Sequence, residues 1–218
     1  SANTALTYLD VNSNSLTALD VSANTALTNL GCSSNGLTSL NLSSNTELYY
    51  LFCQDNQLTS LDLSNNTDLA LIYCNDNQLT DLDVSTNTAV YSLNCQDNNL
   101  TVLDVSALTS LQTIHCNENQ LTYLNMKNGV TDALTSFDAT DNSLTCIEVN
   151  EENVGWATEN WTYANGNIDE GASFTVCCMV SEDCFAPQAA FNLSEMYLAA
   201  VPGSETQFNI SLANSGDL

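Results

Sequence analysis

The stretch LFCQDNQLTSLDLSNNTDLALIYCNDNQL, residues 51–79, holds a cysteine near each end, Cys53 and Cys74, 21 residues apart. The same interval separates each of Cys32, Cys53, Cys74, Cys95 and Cys116 from the next. A thiol that returns on a fixed count needs a structural cause: a disulfide framework, a string of metal ligands, or one column of a stacked fold. The surrounding residues repeat on the same count. "LYYLFCQDNQL" and "LTSLDLSNNTDL" share the skeleton L-x-x-L-x-L-x-x-N, with cysteine replacing the third apolar residue in the first. Two such half-units make the period.

Seven turns run through residues 1–149. The cysteine column reads Val11, Cys32, Cys53, Cys74, Cys95, Cys116, Ala139. The opposite column reads Val21, Leu42, Leu63, Val84, Val105, Met126, Val149. The last turn is two residues longer, through "KNGVTDAL". In x-L-x-L-x the apolar residues point one way and the x residues the other, as on a strand. Stacked turns then form parallel ladders spaced by about 4.8 Å. Parallel cysteine side chains at that spacing stand farther apart than a disulfide prefers. A metal needs converging ligands, and the inward neighbours are leucine and isoleucine. The column therefore reads as buried, reduced thiols packing as small hydrophobes. Asparagines at 24, 45, 66 and 87, and at 56, 77, 98 and 119, mark the bends, where they bond to nearby backbone. Leu108 occupies an asparagine place, so that bend is expected to lack side-chain support.

This pattern resembles the leucine-rich repeat, in the short bacterial class with a doubled LxxLxLxxN motif, over roughly residues 1–150. The resemblance implies a repeat solenoid with parallel β-strands on both faces and few or no helices, recognising protein or neutral glycan through a solenoid face. Residues 150–185, with "VGWATENWTY" and closing cysteines, resemble the C-terminal caps of such proteins. A cap is required because the last turn would otherwise expose its interior. Cys146 leaves the cysteine column and takes the outward column of the other face. With Cys177, Cys178 and Cys184 it makes four cysteines that suit two disulfides in any of three connectivities. Disulfides imply an oxidising compartment, extracellular or at the bacterial surface. From residue 186 to 218, alternating runs around "VPGSE" look like the opening strands of an immunoglobulin-like β-sandwich. The chain starts inside the repeat pattern, with no leader and no 18-residue apolar run. It is expected to be a piece of a longer polypeptide with further domains.

Charge narrows the partners. The chain carries one lysine, Lys127, no arginine, and 26 Asp and Glu, for a net charge of −25. Nucleic acid is excluded because Lys and Arg drive phosphate binding, and an anionic membrane is repelled likewise. Catalysis is poorly served. The single histidine, His115, alternates in direction with Cys116, so the two face opposite ways and His115 reads as a surface residue. No enzyme is expected.

Two outward features suit binding. Asp62, Asp83 and Asp104 form an acidic column on which calcium would relieve repulsion, although a flat ladder offers only part of its six to eight oxygens. The second feature is a cluster of large side chains on the cysteine-bearing face. Tyr50 and Phe52 point outward on one turn, Leu71 and Tyr73 on the next, with Tyr49 and Tyr91 at the margin. Aromatics among asparagines and acids suit sugar stacking or a protein hot spot.

Overall fold

Each half-unit places a leucine or its equivalent inward between two outward residues, and short strands form around these centres. The computed structural model describes residues 3–178. In chain order the strands are β1 (Tyr8–Asp10), β2 (Asn29–Gly31), β3 (Tyr50–Phe52), β4 (Leu71–Tyr73), β5 (Ser92–Asn94), β6 (Val102–Asp104), β7 (Thr113–His115), β8 (Tyr123–Asn125), β9 (Ser136–Asp138), β10 (Cys146–Glu148) and β11 (Ser173–Thr175). A seven-stranded sheet runs β1-β2-β3-β4-β5-β7-β9, and a four-stranded sheet runs β11-β10-β8-β6. The pairings are parallel and in register, with Phe52 opposite Tyr73 and Leu51 opposite Ile72. The fold is a parallel β-solenoid. The described residues belong to the first of two units into which the chain divides, Ser1–Val180. The stretch expected to open a β-sandwich, 186–218, and Cys184 both lie outside the described residues.

The interior holds the inward columns. Cys32, Cys53, Cys74, Cys95 and Cys116 are fully buried and free, as their column position implies. Cys74 Sγ lies 3.6 Å from the Asn94 carbonyl and Cys116 Sγ 3.6 Å from that of Asp138, so two thiols find an acceptor one turn on. Burial disfavours the thiolate and pushes Cys32 and Cys74 up to about 12.

Asparagine ladders close the bends. Asn77 Nδ2 donates to the carbonyls of Cys53 (3.1 Å), Cys74 (3.1 Å) and Asn75 (3.2 Å), while its Oδ1 accepts from Leu58 N–H at 2.9 Å. One side chain thus ties its own bend to the turn before it, and Asn56, Asn98 and Asn119 repeat the set. On the opposite side Asn66 Nδ2 reaches back to Leu42 (3.2 Å) and Asn45 (2.8 Å). The bend at Leu108 persists without a polar side chain. Its backbone bonds, Leu108 N–H to Val105 (3.0 Å) and Leu111 N–H to Leu108 (3.2 Å), suffice, and Leu108 itself is buried.

The two faces are not equivalent. The sequence predicts strands along both, yet the second sheet begins only at Val102. On that side, between Val21 and Val84, the carbonyls of Val21, Leu42 and Leu63 are taken by the second asparagine ladder. Grooves open between the turns there. After Leu108 interrupts that ladder, direct pairing takes over, as in Val105 N–H to Asn125 at 2.9 Å. The two extra residues of the last turn are absorbed by a 3-10 turn, Thr131–Ala133.

The end of the stack is closed as a cap requires. Helix α1 (Val154–Asn160) follows a 3-10 turn, and Trp161 packs against Phe137 (4.3 Å between ring centres), Trp156 (5.2 Å) and Phe174 (5.8 Å). Strand β11 extends the second sheet by one rung. A Cys146–Cys178 disulfide ties its far end to β10. Cys177 is also disulfide-bonded.

Candidate binding face

The first sheet presents two outward columns because its strands expose alternate residues. Tyr50 and Leu71 share one column and Phe52 and Tyr73 the other, all half-buried against each other on β3 and β4. Phe52 and Tyr73 meet edge to face with centres 5.6 Å apart, and Tyr49 meets Tyr50 in the same way at 4.7 Å. Tyr49 is 43% exposed, and Ala70, the small residue between Tyr49 and Tyr91, is covered. Tyr91 turns toward the group: desolvation, then the nearby Tyr50 hydroxyl, raises its phenol above the usual range. The expected five residues, Tyr50, Phe52, Leu71, Tyr73 and Tyr91, therefore lie together on one surface. Such edge-to-face packing fixes the rings in place before any ligand arrives.

Toward the chain start the second column continues as Gly31. A side chain there would collide with Asn12, whose Nδ2 lies 2.8 Å from the Cβ position, so Asn12 folds over that rung. Toward the cap the column continues as Asn94, His115 and Asp138. His115 Nε2 stands 2.8 Å from Ser136 Oγ, a pairing the sequence reading missed because Ser136 sits one lengthened turn away.

The aspartate column on the opposite side has a local function. Asp62 Oδ1 accepts from Ser64 N–H at 3.0 Å, Asp83 from Ser85 at 2.9 Å and Asp104 from Ser106 at 2.8 Å. Asn41 and Asn125 make the same bond without charge. These are Asx turns. The serine hydroxyls, then their N–H groups, hold Asp62 and Asp83 below the usual carboxylate range. Neighbouring members of the column still interact: the Asp62 charge opposes ionisation of Asp83, and Asn125 Nδ2 donates to Asp104 Oδ2 at 3.1 Å. Asp62 and Asp83 flank a groove of about 260 Å³, and Asp83 and Asp104 another of about 380 Å³. Among the described residues no group of three or more His, Cys, Asp or Glu is placed to hold a metal ion.

Near the cap, Glu148 is buried and accepts from Lys127 Nζ at 2.8 Å and from Cys178 N–H at 2.9 Å. Burial works against its charge, but these donors and Tyr123 outweigh it and lower its titration. The only lysine of the chain is thus committed beside the disulfide. No helix among the described residues is long and apolar enough to cross a membrane.

With this geometry in view, the likenesses to known proteins are specific. The LVIVD repeat family matches residues 94–115, about one turn of the solenoid. No curated protein matches the sequence. The functional domain of InlJ from Listeria monocytogenes, which includes a cysteine ladder, is 31% identical over 73% of this chain, with a TM-score of 0.62. The leucine-rich repeat protein LIC12759 of Leptospira interrogans is 24% identical over 64% of this chain, with a TM-score of 0.58. Internalin C2 of Listeria monocytogenes is 16% identical over 79% of this chain and 82% of its own, with a TM-score of 0.51. The chain spans 44% of the InlJ chain and 38% of the Leptospira chain. By fold, this solenoid is similar to the bacterial internalin-type leucine-rich repeat proteins.

Proposed function

We propose that this chain is a non-catalytic binding or adhesion module of a secreted or bacterial surface protein, and that it engages protein or neutral glycan through the outer face of its first sheet. The observation that carries this reading is the aromatic group on β3 and β4. Most outward positions of the repeats are Ser, Thr, Ala or Asn, and among the described residues only here do large outward rings gather on adjacent strands. A prearranged aromatic surface loses little entropy on binding, which is the property of a hot spot. Similarity to internalin-type proteins points the same way. The test is an array of surface proteins and neutral oligosaccharides probed with the chain and with its Tyr50→Ala/Tyr73→Ala variant. Binding that the double change abolishes, with the fold intact, supports the reading. Binding that survives it undiminished makes the face a packed surface and favours a rigid acidic spacer.

A further inference from the structure

The molecule carries two acidic columns of different kinds. Asp62, Asp83 and Asp104 are accounted for by their Asx turns. Asp55, Asp76, Asp97 and Glu118 are not. They border the first sheet just past its strands, exposed, with φ of 56°, 54°, 48° and 54°. Left-handed backbone favours glycine, asparagine and aspartate, so it explains a short polar residue but not the choice of acid over asparagine at every turn, nor Glu118. No backbone N–H is satisfied by these four carboxylates. Asp76 and Glu118 accept only from the asparagine beside them, Asn75 and Asn117, at 2.6 and 3.4 Å.

The acids begin where the rings begin. In the same left-handed position the first two turns carry Ser13 and Ser34, the acids begin at Asp55, on the turn that brings Phe52, and they run on past the rings to Asp141. The other border of the sheet is more selective. Its column reads Ala26, Glu47, Asp68, Ala89, so that acids stand only on the two turns holding Tyr50, Phe52, Leu71 and Tyr73. Glu47 and Asp68 line an open groove against Tyr49 and Asn29. The aromatic group is therefore bracketed by carboxylates on both sides. No arginine exists to neutralise them, and Lys127 is held by Glu148 on the other sheet.

An apolar centre with a rim of one sign fits a surface with an apolar tip and a rim of the opposite sign. We propose that the partner is a protein whose contact loop carries an aromatic or aliphatic side chain flanked by Lys or Arg. The apolar residue packs on Phe52 and Tyr73, and the basic residues reach Glu47 and Asp68 on one border and Asp55 and Asp76 on the other. This rests on the aromatic face being the binding surface and adds the chemistry of what it binds.

The test uses a phage-displayed library of random cyclic peptides, panned on the chain. Selected peptides are expected to combine an aromatic or aliphatic residue with Lys or Arg, and to bind more weakly at high salt. Three variants are then compared on those peptides. Phe52→Ser/Tyr73→Ser is expected to abolish binding. Asp55→Asn/Asp76→Asn/Asp97→Asn keeps a residue suited to the left-handed position and is expected to slow association about tenfold or more. Asp62→Asn/Asp83→Asn/Asp104→Asn removes the same total charge and is expected to leave binding unchanged. Equal weakening by the two aspartate variants would reduce the rim to general attraction and overturn the proposal. So would peptides free of Lys and Arg, or neutral oligosaccharides bound by the same face. Loss of effect in the Phe52/Tyr73 variant alone would instead overturn the choice of face.

Discussion

Five of the seven turns carry a buried thiol, and asparagine amides tie the bends between turns. The thiols pack as apolar groups, so hydroxyl replacement is expected to hurt. Cys74→Ser should cost on the order of 1–3 kcal/mol, because a buried hydroxyl gains little from the distant Asn94 carbonyl. Alkali should hurt too. The pKa values of Cys32 and Cys74 are raised to about 12 in the fold, so the folded chain keeps protons that the unfolded chain releases. Their contribution is complete below the ordinary thiol pKa and falls by about 1.4 kcal/mol per thiol per pH unit above it. Urea denaturation at neutral pH and near pH 10 measures the drop. The amides differ by ladder. Asn77→Ala strands two buried carbonyls and the Leu58 N–H and should cost on the order of 3 kcal/mol, whereas Asn66, with an unpaired Oδ1, makes fewer bonds and should cost less. The inward thiol column was legible in the sequence, since the period and the alternation fix it. The asparagine bonds within each bend were legible too, but those that cross to the preceding turn, such as Asn77 to the Cys53 carbonyl, were not.

At the scale of strands and bends, the first sheet follows from the repeat and the second only in part. The same x-L-x-L-x pattern occurs on both sides, yet strands pair along the whole of one side and only from Val102 on the other, a difference the sequence period does not encode. The aspartates there carry a local role, since each accepts the N–H two residues on and so fixes its own turn. Asp83→Asn should preserve the bend, as Asn41 and Asn125 do in their turns, with little change in melting temperature at neutral pH. Melts with calcium and with chelator at matched ionic strength are expected to coincide. A calcium-dependent rise of several degrees would reveal a site of useful affinity instead. The aromatic group was visible in the sequence because alternation places Tyr50, Phe52, Leu71 and Tyr73 outward on neighbouring rungs. The His115–Ser136 contact was hidden by the two inserted residues.

At the scale of the whole solenoid, the far end is secured by the tryptophan-centred cap and by Cys146–Cys178, which closes a loop with a sequence separation of 32. Cys146→Ala/Cys178→Ala is expected to lower stability by about 3–4 kcal/mol on the chain-entropy estimate, read as a lower urea midpoint. All these inferences share one premise, the strand register. If Cys53 faces inward, Phe52 must face outward, and a slip of one residue would exchange the core for the binding face. Two-step alkylation with mass spectrometry tests that register most directly. In the folded chain, Cys32, Cys53, Cys74, Cys95 and Cys116 are expected to resist labelling, and in denaturant without reductant all five should be labelled. Labelling of these cysteines in the folded chain would turn the sheet inside out. Their failure to label after unfolding would mean a cross-linked ladder, and either result would contradict the structure from which the binding face is derived.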